Sequence, residues 1–340
     1  MRSIATLFAL FTFALTVGAT GATAGDCPGN PDAIGTSRTL VVDPSEHVRI
    51  GAMNYAETLP LEDKEVVLTF DDGPIPPSTG KILDILASEC VKANYFIVGE
   101  MAQAHPELVQ RAAREGHTIG THSMTHPYGF QNLPFEKAKA QVDDGIEATA
   151  AALGDASKLA PFFRFPGFGR TDAAEDYAES RGLMVWSADF AADDWMHIGA
   201  NEIIHRALTR LDHWGKGILL LHDIHPATAA ALPVLLHELK ARGYRIVHVV
   251  PASAQQPKTE TSPEDWLVPN MLPAMVFSAV QDLSGGFFAY EHGEDLCSLR
   301  ATQTRQKRQI TAERHARHFS EHRTRAHAQN YYGRWTRWWN

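Results

Sequence analysis

Two histidines four residues apart, His122 and His126, follow a short apolar run in the chain. On a helical turn this spacing places both imidazoles on one face, where they can bind one metal ion. An adjacent pair of carboxylates, Asp71 and Asp72, follows another apolar run and offers a hard oxygen ligand. Two histidines and one carboxylate leave a position open for water, which is typical of a catalytic rather than a structural zinc site.

The remaining polar candidates suggest acid–base chemistry around that ion. Side chains alternate in direction along a strand, so one of Asp71 and Asp72 is expected to bind the metal and the other to take a proton from water. His222 is expected to donate a proton to the leaving group. Arg164 either orients a carboxylate or forms a structural ion pair, and Trp195 either walls the site or packs against it.

Apolar runs of strand length alternate with segments of helical spacing between residues 65 and 250. Strands are predicted at 66–70, 93–98, 118–121, 162–165, 183–188, 218–221 and 244–250. Helices are predicted at 80–91, 101–115, 135–153, 173–181, 201–214 and 227–242. This alternation predicts an α/β fold with a parallel sheet and helical crossovers, and periodicity does not separate an open doubly wound sheet from a closed barrel.

The candidate residues fall at the carboxyl ends of the predicted strands, where parallel α/β folds bind ligands. Five strand ends carry such residues, namely Asp71-Asp72, the segment 121–127, Arg164, Asp189 with the segment 193–195, and His222-Asp223. Because these ends lie on the same side of a parallel sheet, the residues are predicted to form one site.

Together, the five segments resemble the polysaccharide deacetylases of carbohydrate esterase family 4, the nodulation-deacetylase (NodB) homology domain. The family motifs TFDDG, H-S/T-x-x-H, R-x-P, D-W and L-x-H match Thr69-Phe70-Asp71-Asp72-Gly73, His122-Ser123-Met124-Thr125-His126, Arg164-Phe165-Pro166, Asp194-Trp195 and Leu220-Leu221-His222. The resemblance covers about residues 65 to 250. It implies a distorted (β/α) barrel with about seven parallel strands.

The resemblance also implies a role for each matching residue. Asp71 would be the catalytic base and His222 the general acid, with Arg164 orienting Asp71 and Asp194 orienting His222. The implied metal ligands are Asp72, His122 and His126, and the implied ion is Zn²⁺ or another divalent metal such as Co²⁺. Trp195 and Leu220 are assigned to substrate contact.

The chain departs from the family pattern at two points. The third motif continues as Pro166-Gly167-Phe168-Gly169, and Asp189 lies five residues before Asp194 where the family has D-x-x-D-W. These departures leave Asp189 and Asp193 without an assigned role.

The N-terminus has the pattern of a secretory signal peptide. Arg2 precedes an apolar stretch over 4–17, and Ala22-Thr23-Ala24 matches a cleavage site. We therefore predict export, with cleavage near Ala24, to the periplasm or the exterior. The apolar stretch is too short for a comfortable transmembrane span.

The chain divides into segments of different composition. The predicted division is a signal peptide at 1–24, a wrapping segment at 25–64, the catalytic domain at 65–251, a linker with a possible packing segment at 252–298, and a basic, disordered tail at 299–340. The tail carries ten Lys and Arg against two Asp and Glu, which favours contact with an anionic surface.

Charge and cysteine content narrow the functional classes. The net charge of −9 argues against a nucleic-acid-binding protein, which needs a basic face. The cysteines Cys27, Cys90 and Cys297 lack C-x-x-C spacing, which argues against a cysteine zinc site. In an oxidising compartment a Cys27–Cys90 disulfide is favoured and leaves Cys297 unpaired.

The leading functional hypothesis is metal-dependent removal of N-acetyl groups from an amino-sugar polymer such as peptidoglycan, chitin oligomers or exopolysaccharide. One alternative is O-deacetylation of xylan by the same residues, and another is a non-catalytic carbohydrate-binding module. A glycoside hydrolase would also place paired carboxylates on a barrel rim, but such an enzyme does not need the histidine pair.

Overall fold

The computed structural model describes residues 27–268 with the exception of His197. Its strands are β1 (Thr36–Val42), β2 (Arg49–Ile50), β3 (Glu65–Asp71), β4 (Asn94–Ile97), β5 (Thr118–Thr121), β6 (Leu159–Phe163), β7 (Met184–Trp186), β8 (Phe190–Ala191), β9 (Gly217–His222) and β10 (Arg245–Pro251). Its helices are α1 (Ser78–Ser88), α2 (Gly99–Ala104), α3 (Pro106–Arg114), α4 (Phe135–Leu153), α5 (Asp172–Ser180), α6 (Ala200–Trp214) and α7 (Pro226–Ala241).

The strands pair in parallel, and helices connect most of them, which confirms the predicted sheet with helical crossovers. Strand β3 pairs with β9 on one side and with β4 on the other, and β5, β6, β7 and β2 follow in order. The seven predicted strands correspond to β3, β4, β5, β6, β7, β9 and β10. Short strands were expected within residues 25–64 without bounds, and there the structure places the seven-residue β1 and the two-residue β2. The two-residue β8 was not predicted.

Ladder hydrogen bonds between the described strands do not close the ring between β2 and β8. The chain that follows β2 spans this gap. The Met53 N–H donates to the Ala188 carbonyl (2.9 Å), and the Ala52 N–H donates to the Asp189 carboxylate (2.8 Å). The sheet is therefore continued by loop contacts, as in a distorted (β/α) barrel.

Strand β10 leaves β3 after two residues and continues alongside β1. Its backbone at Val249 bonds to the first side chains of two barrel strands. The Asn94 amide and the Thr118 hydroxyl both donate to the Val249 carbonyl, at 2.8 and 2.7 Å. Strands β10 and β1 therefore lie at the amino ends of β4 and β5, opposite the carboxyl ends that carry the candidate residues.

Strand β3 is buried on both faces, which explains its mostly apolar sequence between Glu65 and Asp71. Val66, Leu68 and Phe70 face the helices and belong to the core cluster formed with α1, α6 and α7. Val67 faces the other way, into the cluster enclosed by the strands, which also contains Phe96, Phe162, Met184, Trp186 and Leu220. This alternation places the last inward side chains of the strand at the open end of the barrel.

One predicted helix is two helices in the structure. The prediction of a single helix over 101–115 was wrong because Pro106 has no N–H and restricts the residue before it. His105 adopts φ −136° and ψ 56°, which ends α2, and α3 begins at Pro106.

A disulfide joins Cys27 to Cys90, with Cα atoms 5.6 Å apart, and so ties the start of the described chain to the end of α1. This is the pairing favoured from the sequence, and Cys297 lies outside the described residues. Among residues 27–268, the structure contains no helix with both the length and the apolar character needed to span a bilayer.

Two buried histidines, His117 just before β5 and His248 in β10, should make the stability of the fold sensitive to acid. Burial, with the nearby Lys92 charge, lowers the pKa of His117 to about 3 and that of His248 to about 4. The Ala93 N–H donates to His117 Nδ1 (3.1 Å), which requires that nitrogen to be unprotonated. Both rings are therefore neutral in the folded protein.

We expect the free energy of unfolding to fall by roughly 1–2 kcal/mol per histidine between pH 7.5 and pH 5. The unfolded chain takes up protons below its ordinary histidine pKa of about 6.5, whereas the folded chain does so only near the lowered values. The stability is thus complete above about pH 6.5 and is lost as the pH falls toward the folded values. Denaturant titration at pH 7.5 and at pH 5 measures this change in the free energy of unfolding.

In that measurement, His117→Asn should reduce the pH dependence, because the amide oxygen can still accept the Ala93 N–H but cannot titrate. His237→Asn is the matched control, since the His237 side chain is 79% exposed. An unchanged pH dependence in His117→Asn would contradict the prediction.

Candidate active site

The first part of the site is the turn after β3. Asp71 is the last residue of the strand, and Asp72 adopts a left-handed backbone conformation with φ 78°. The change of direction carries the Asp72 side chain away from that of Asp71. The two neighbouring carboxylates both approach His122, but Asp71 pairs with Arg164 whereas Asp72 meets His126.

The second part is the loop that carries His122 and His126. The expected helical turn was wrong, because residues 122–127 form an irregular loop in which Ser123 and His126 have φ of 68° and 49°. The N–H groups of Gly99 and Glu100, at the start of α2, donate to the carbonyls of Ser123 and Met124 at 3.0 and 2.9 Å. Tertiary contacts rather than helical hydrogen bonds hold the loop.

Helix α4 packs against the same loop at a glycine. A Cβ atom at Gly145 would lie 2.6 Å from the carbonyl carbon of Ser123, so a larger residue would displace the loop. The His126 N–H also donates to the Ser123 hydroxyl (3.1 Å). The close approach of α4 thus helps to direct both imidazoles toward Asp72.

The two histidines meet Asp72 at one oxygen. His122 Nε2 lies 3.4 Å and His126 Nε2 3.3 Å from Asp72 Oδ1. This oxygen is buried and has no hydrogen-bond partner among the described residues. His122 Nδ1 lies 2.6 Å from the Arg164 carbonyl, which can only accept, so Nδ1 carries the proton and the Nε2 lone pair faces Asp72.

This donor set fits a divalent metal ion. Two ligand atoms bound tetrahedrally to one zinc-sized ion at about 2.0–2.1 Å lie about 3.3–3.4 Å apart. The observed spacing from Asp72 Oδ1 to each histidine nitrogen matches this value, and the three ligand atoms lie within 4.8 Å of one another. Among the described residues, this is the only group of three or more histidine, cysteine or acidic residues with that spacing.

Electrostatics favour the deprotonated form of two of the candidate ligands. Burial alone would raise the pKa of Asp72, but His126 and His122 hold it well below its usual range. Burial lowers the pKa of His126, against the opposing effect of Asp72. Metal binding requires an ionised carboxylate and a neutral imidazole, and these shifts favour those forms of Asp72 and His126.

Asp71 faces a buried arginine. Arg164 Nη1 donates to Asp71 Oδ1 at 2.7 Å and to the Thr69 hydroxyl at 3.0 Å, and Nη2 donates to the Ser187 carbonyl at 2.8 Å. The guanidinium also stacks over Phe96 at 4.1 Å and is fully buried, and burial lowers the pKa of Arg164. Asp71 Oδ2 lies 3.7 Å from His122 Nε2, which places Asp71 beside the metal ligands.

His222 lies at the end of β9 and forms a pair with Asp194. Asp194 Oδ1 lies 2.7 Å from His222 Nδ1, and Asp194 Oδ2 accepts the His222 N–H and the Thr228 hydroxyl, each at 2.7 Å. Burial alone would lower the pKa of His222, but the charge and hydrogen bond of Asp194 raise it to about 10. His222 is therefore protonated at neutral pH and can donate a proton.

The two residues assigned to substrate contact lie at different depths. The Trp195 side chain is 41% exposed and meets the His222 ring edge-on, with ring centroids 5.7 Å apart. Trp195 therefore stands at the rim. Leu220 is only 4% exposed and belongs to the cluster enclosed by the strands, below the rim.

Sequence reasoning left three buried carboxylates without a role. Asp189 accepts from the Ala52 N–H, the Thr58 hydroxyl and the Ile218 N–H, so it ties the chain after β2 to β9. Asp193 pairs with Arg206 and Arg210 of α6 at 2.9 and 2.6 Å and so fixes the start of the turn that carries Asp194 and Trp195. The partners of Asp189 and Asp193 lie on other elements of the fold, so no sequence pattern predicted these roles.

The third of these carboxylates is Asp223, which follows His222. It is fully buried, and burial raises its pKa to about 7, against the opposing hydrogen bond from Thr79. In the sequence, the one signal for Asp223 was its position next to His222, a predicted site residue.

The arrangement combines a metal-binding triad with a carboxylate on one side and a protonated histidine on the other. Asp71 is ion-paired and positioned to accept a proton, whereas His222 is positioned to donate one. Asp71 lies near His122, and His222 is the strand partner of Asp71 where β3 pairs with β9. Such a site can hydrolyse an acyl bond that needs both a base and an acid.

Comparison with known proteins is consistent with this geometry. The family model "Polysaccharide deacetylase" matches residues 58–186. A Bacillus cereus peptidoglycan-N-acetylglucosamine deacetylase is 34% identical over 196 residues, which cover 56% of this chain and 89% of that protein.

Two further relatives match this chain over a smaller share of their own length. A Listeria monocytogenes peptidoglycan-N-acetylglucosamine deacetylase is 34% identical over 189 residues, or 55% of this chain, and the match spans only 38% of the Listeria protein. The solved structure of a Bdellovibrio bacteriovorus peptidoglycan deacetylase superposes with a TM-score of 0.57 at 32% identity, covering 64% of this chain and 60% of that one. On the evidence of the shared fold, the matched family model and these relatives, the chain belongs to the polysaccharide deacetylase family, carbohydrate esterase family 4.

Proposed function

We propose that this protein is a metal-dependent hydrolase that removes N-acetyl groups from an amino-sugar polymer. The observation that carries the proposal is the convergence of His122 and His126 on the buried Oδ1 of Asp72. Asp71 lies beside them, and His222 is its strand partner. The relatives named above act on peptidoglycan, and the N-acetylglucosamine of peptidoglycan is therefore the substrate we favour.

Asp72, His122 and His126 would hold the ion, which we propose to be Zn²⁺. A divalent ion at this position supplies a Lewis acid that polarises the acetyl carbonyl and makes bound water more acidic. Asp71 accepts the proton of the attacking water. Arg164 orients Asp71 through a buried charge-assisted hydrogen bond of 2.7 Å.

His222 supplies the proton that the departing amine needs. Asp194 accepts from Nδ1, so the other ring nitrogen, Nε2, is the donor toward the substrate. The flat Trp195 ring at the rim excludes water from one side of His222 and offers an apolar face to a sugar ring. Acid and base thus come from different strands and do not exchange roles during one turnover.

Acetate release from peptidoglycan, chitin oligomers and acetylated xylan tests the proposal. The protein should release acetate from an amino-sugar substrate, lose this activity on chelation and regain it with Zn²⁺. Asp71→Asn should lower kcat by about 10²–10⁴-fold because the base is lost, yet still bind Zn²⁺. His126→Ala should lose Zn²⁺ and activity together because a ligand is lost.

Asp84→Asn is the control for these variants, since the Asp84 side chain is 69% exposed and lies on α1. Release from xylan alone would favour the O-acetyl esterase. Bound Zn²⁺ without release from any substrate would favour the binding module, and chelator-resistant cleavage of the glycan chain would favour a glycoside hydrolase.

The Asp194–His222 pair sets the alkaline limit of activity. His222 donates only when protonated, so activity should fall as the pH rises through its pKa of about 10. Asp194→Asn removes the charge that opposes the effect of burial and should move the alkaline limb of the kcat/KM profile down by about 1–3 pH units. A pH–rate profile, with nuclear magnetic resonance titration of the His222 ring, measures the shift.

Thr228→Val is the matched variant, because it removes another hydrogen bond to Asp194 but leaves its charge in place. It should move the limb by less than Asp194→Asn does. Equal shifts in the two variants would show that packing rather than charge sets the pKa of His222.

We further propose that the protein is exported and that residues 299–340 bind an anionic surface of the cell envelope. The basis is the signal-like N-terminus and the ten basic against two acidic residues of this tail. Expressed with its own N-terminus, the mature protein should begin after Ala24 and should be released from envelope fractions by salt. A version ending at residue 298 should not need salt for release. Retention of residues 1–24 would refute the proposal of export with cleavage. Equal binding of both versions would refute the proposed role of residues 299–340.

A further inference from the structure

Asp223 is a buried carboxylate that the proposed chemistry does not use. It follows His222 at the end of β9 and is completely shielded from solvent. A fully buried carboxylate needs partners, since isolation from water is costly for an ionised group. The identity of those partners indicates what Asp223 does.

Asp223 contacts the segment that carries Asp71 and Asp72 at both of its ends. The Asp223 N–H donates to the Asp71 carbonyl (3.3 Å). At the far end, the Thr79 hydroxyl donates to Asp223 Oδ2 (2.7 Å) and itself accepts the Ile75 N–H (2.8 Å). The residue that follows β9 therefore holds both the beginning and the end of the connection from β3 to α1.

The carboxylate also fills the space beside the residue after Asp72. A Cβ atom at Gly73 would lie 2.1 Å from Asp223 Oδ2 and 2.2 Å from Oδ1. Glycine is thus required at position 73 because the Asp223 carboxylate occupies the place of a side chain. Asp72 must hold its left-handed backbone immediately before this contact.

We propose that Asp223 is a positioning residue that fixes the Asp71–Gly73 turn and thereby aims the Asp72 carboxylate at His122 and His126. Asp72 Oδ1 lies within 3.4 Å of both histidine nitrogens, so a small rotation of the turn would separate the three ligand atoms. The inference rests on the proposed metal site, and metal affinity tests it without any substrate.

The test is the Zn²⁺ affinity of the folded protein, measured by competition with a chelator, together with kcat and KM for acetate release. Asp223→Ala should weaken Zn²⁺ binding by about ten-fold or more and lower kcat, with KM changed little because the substrate surface is untouched. Asp223→Asn keeps the shape and one acceptor oxygen, and it should restore most of the Zn²⁺ affinity.

Thr79→Val is a second probe in case Asp223→Ala does not fold. It removes the hydroxyl that donates to Asp223 and should weaken Zn²⁺ binding by about two- to ten-fold. Glu65→Gln is the matched control, because Glu65 is a buried carboxylate at the opposite end of β3, paired with Arg38. Its Zn²⁺ affinity should equal that of the wild type even if its thermal midpoint falls.

Wild-type Zn²⁺ affinity in Asp223→Ala, or in Thr79→Val where the alanine variant does not fold, would overturn the proposal. An equal loss of affinity in Glu65→Gln would also overturn it, since the effect would then follow stability alone. Zn²⁺ binding that depends on Asp223 in a protein that releases no acetate would uphold the positioning role and refute the deacetylase function. Absence of Zn²⁺ binding by the wild type would overturn both.

Discussion

A buried guanidinium needs acceptors, and inside the strand barrel three acceptors bind the two terminal nitrogens of Arg164, whereas its Nε has no partner among the described residues. These acceptors come from one strand and the start of a loop, namely Asp71 and Thr69 of β3 and the Ser187 carbonyl after β7. Breaking such a pair is far more costly than breaking a surface ion pair, because a charge would remain uncompensated. The position of Asp71 is therefore coupled to the packing of the whole barrel.

The same pair organises the neighbouring metal ligands. Arg164 gives its side chain to Asp71 and its backbone carbonyl to His122 Nδ1. One residue thus orients both the carboxylate proposed as the base and an imidazole proposed as a metal ligand. This shared support explains why the base and the ligands keep a fixed relation although they come from different strand ends.

Much of this arrangement could be predicted from the sequence. Alternating apolar runs indicated the parallel sheet, and the positions of Asp71, His122, Arg164 and His222 after such runs indicated one shared site. What could not be predicted is the support of the site by distant residues. The His122–His126 spacing is compatible with a helix, and only tertiary contacts, those of Gly99, Glu100 and Gly145 with the loop, show why a loop forms instead.

The unpredicted contacts share a physical cause. Asp72, Ser123, His126 and Asp193 have left-handed backbone conformations, which cost on the order of 1 kcal/mol each for residues with a side chain. Such conformations persist only where the surroundings determine them, and here Gly145 and the salt bridges of α6 provide part of that determination.

The strain lies in the loops that carry the metal ligands and the Asp194 turn, whereas the strands beneath them are regular and buried. A stable barrel therefore allows these loops to hold geometries that the local sequence alone would not adopt.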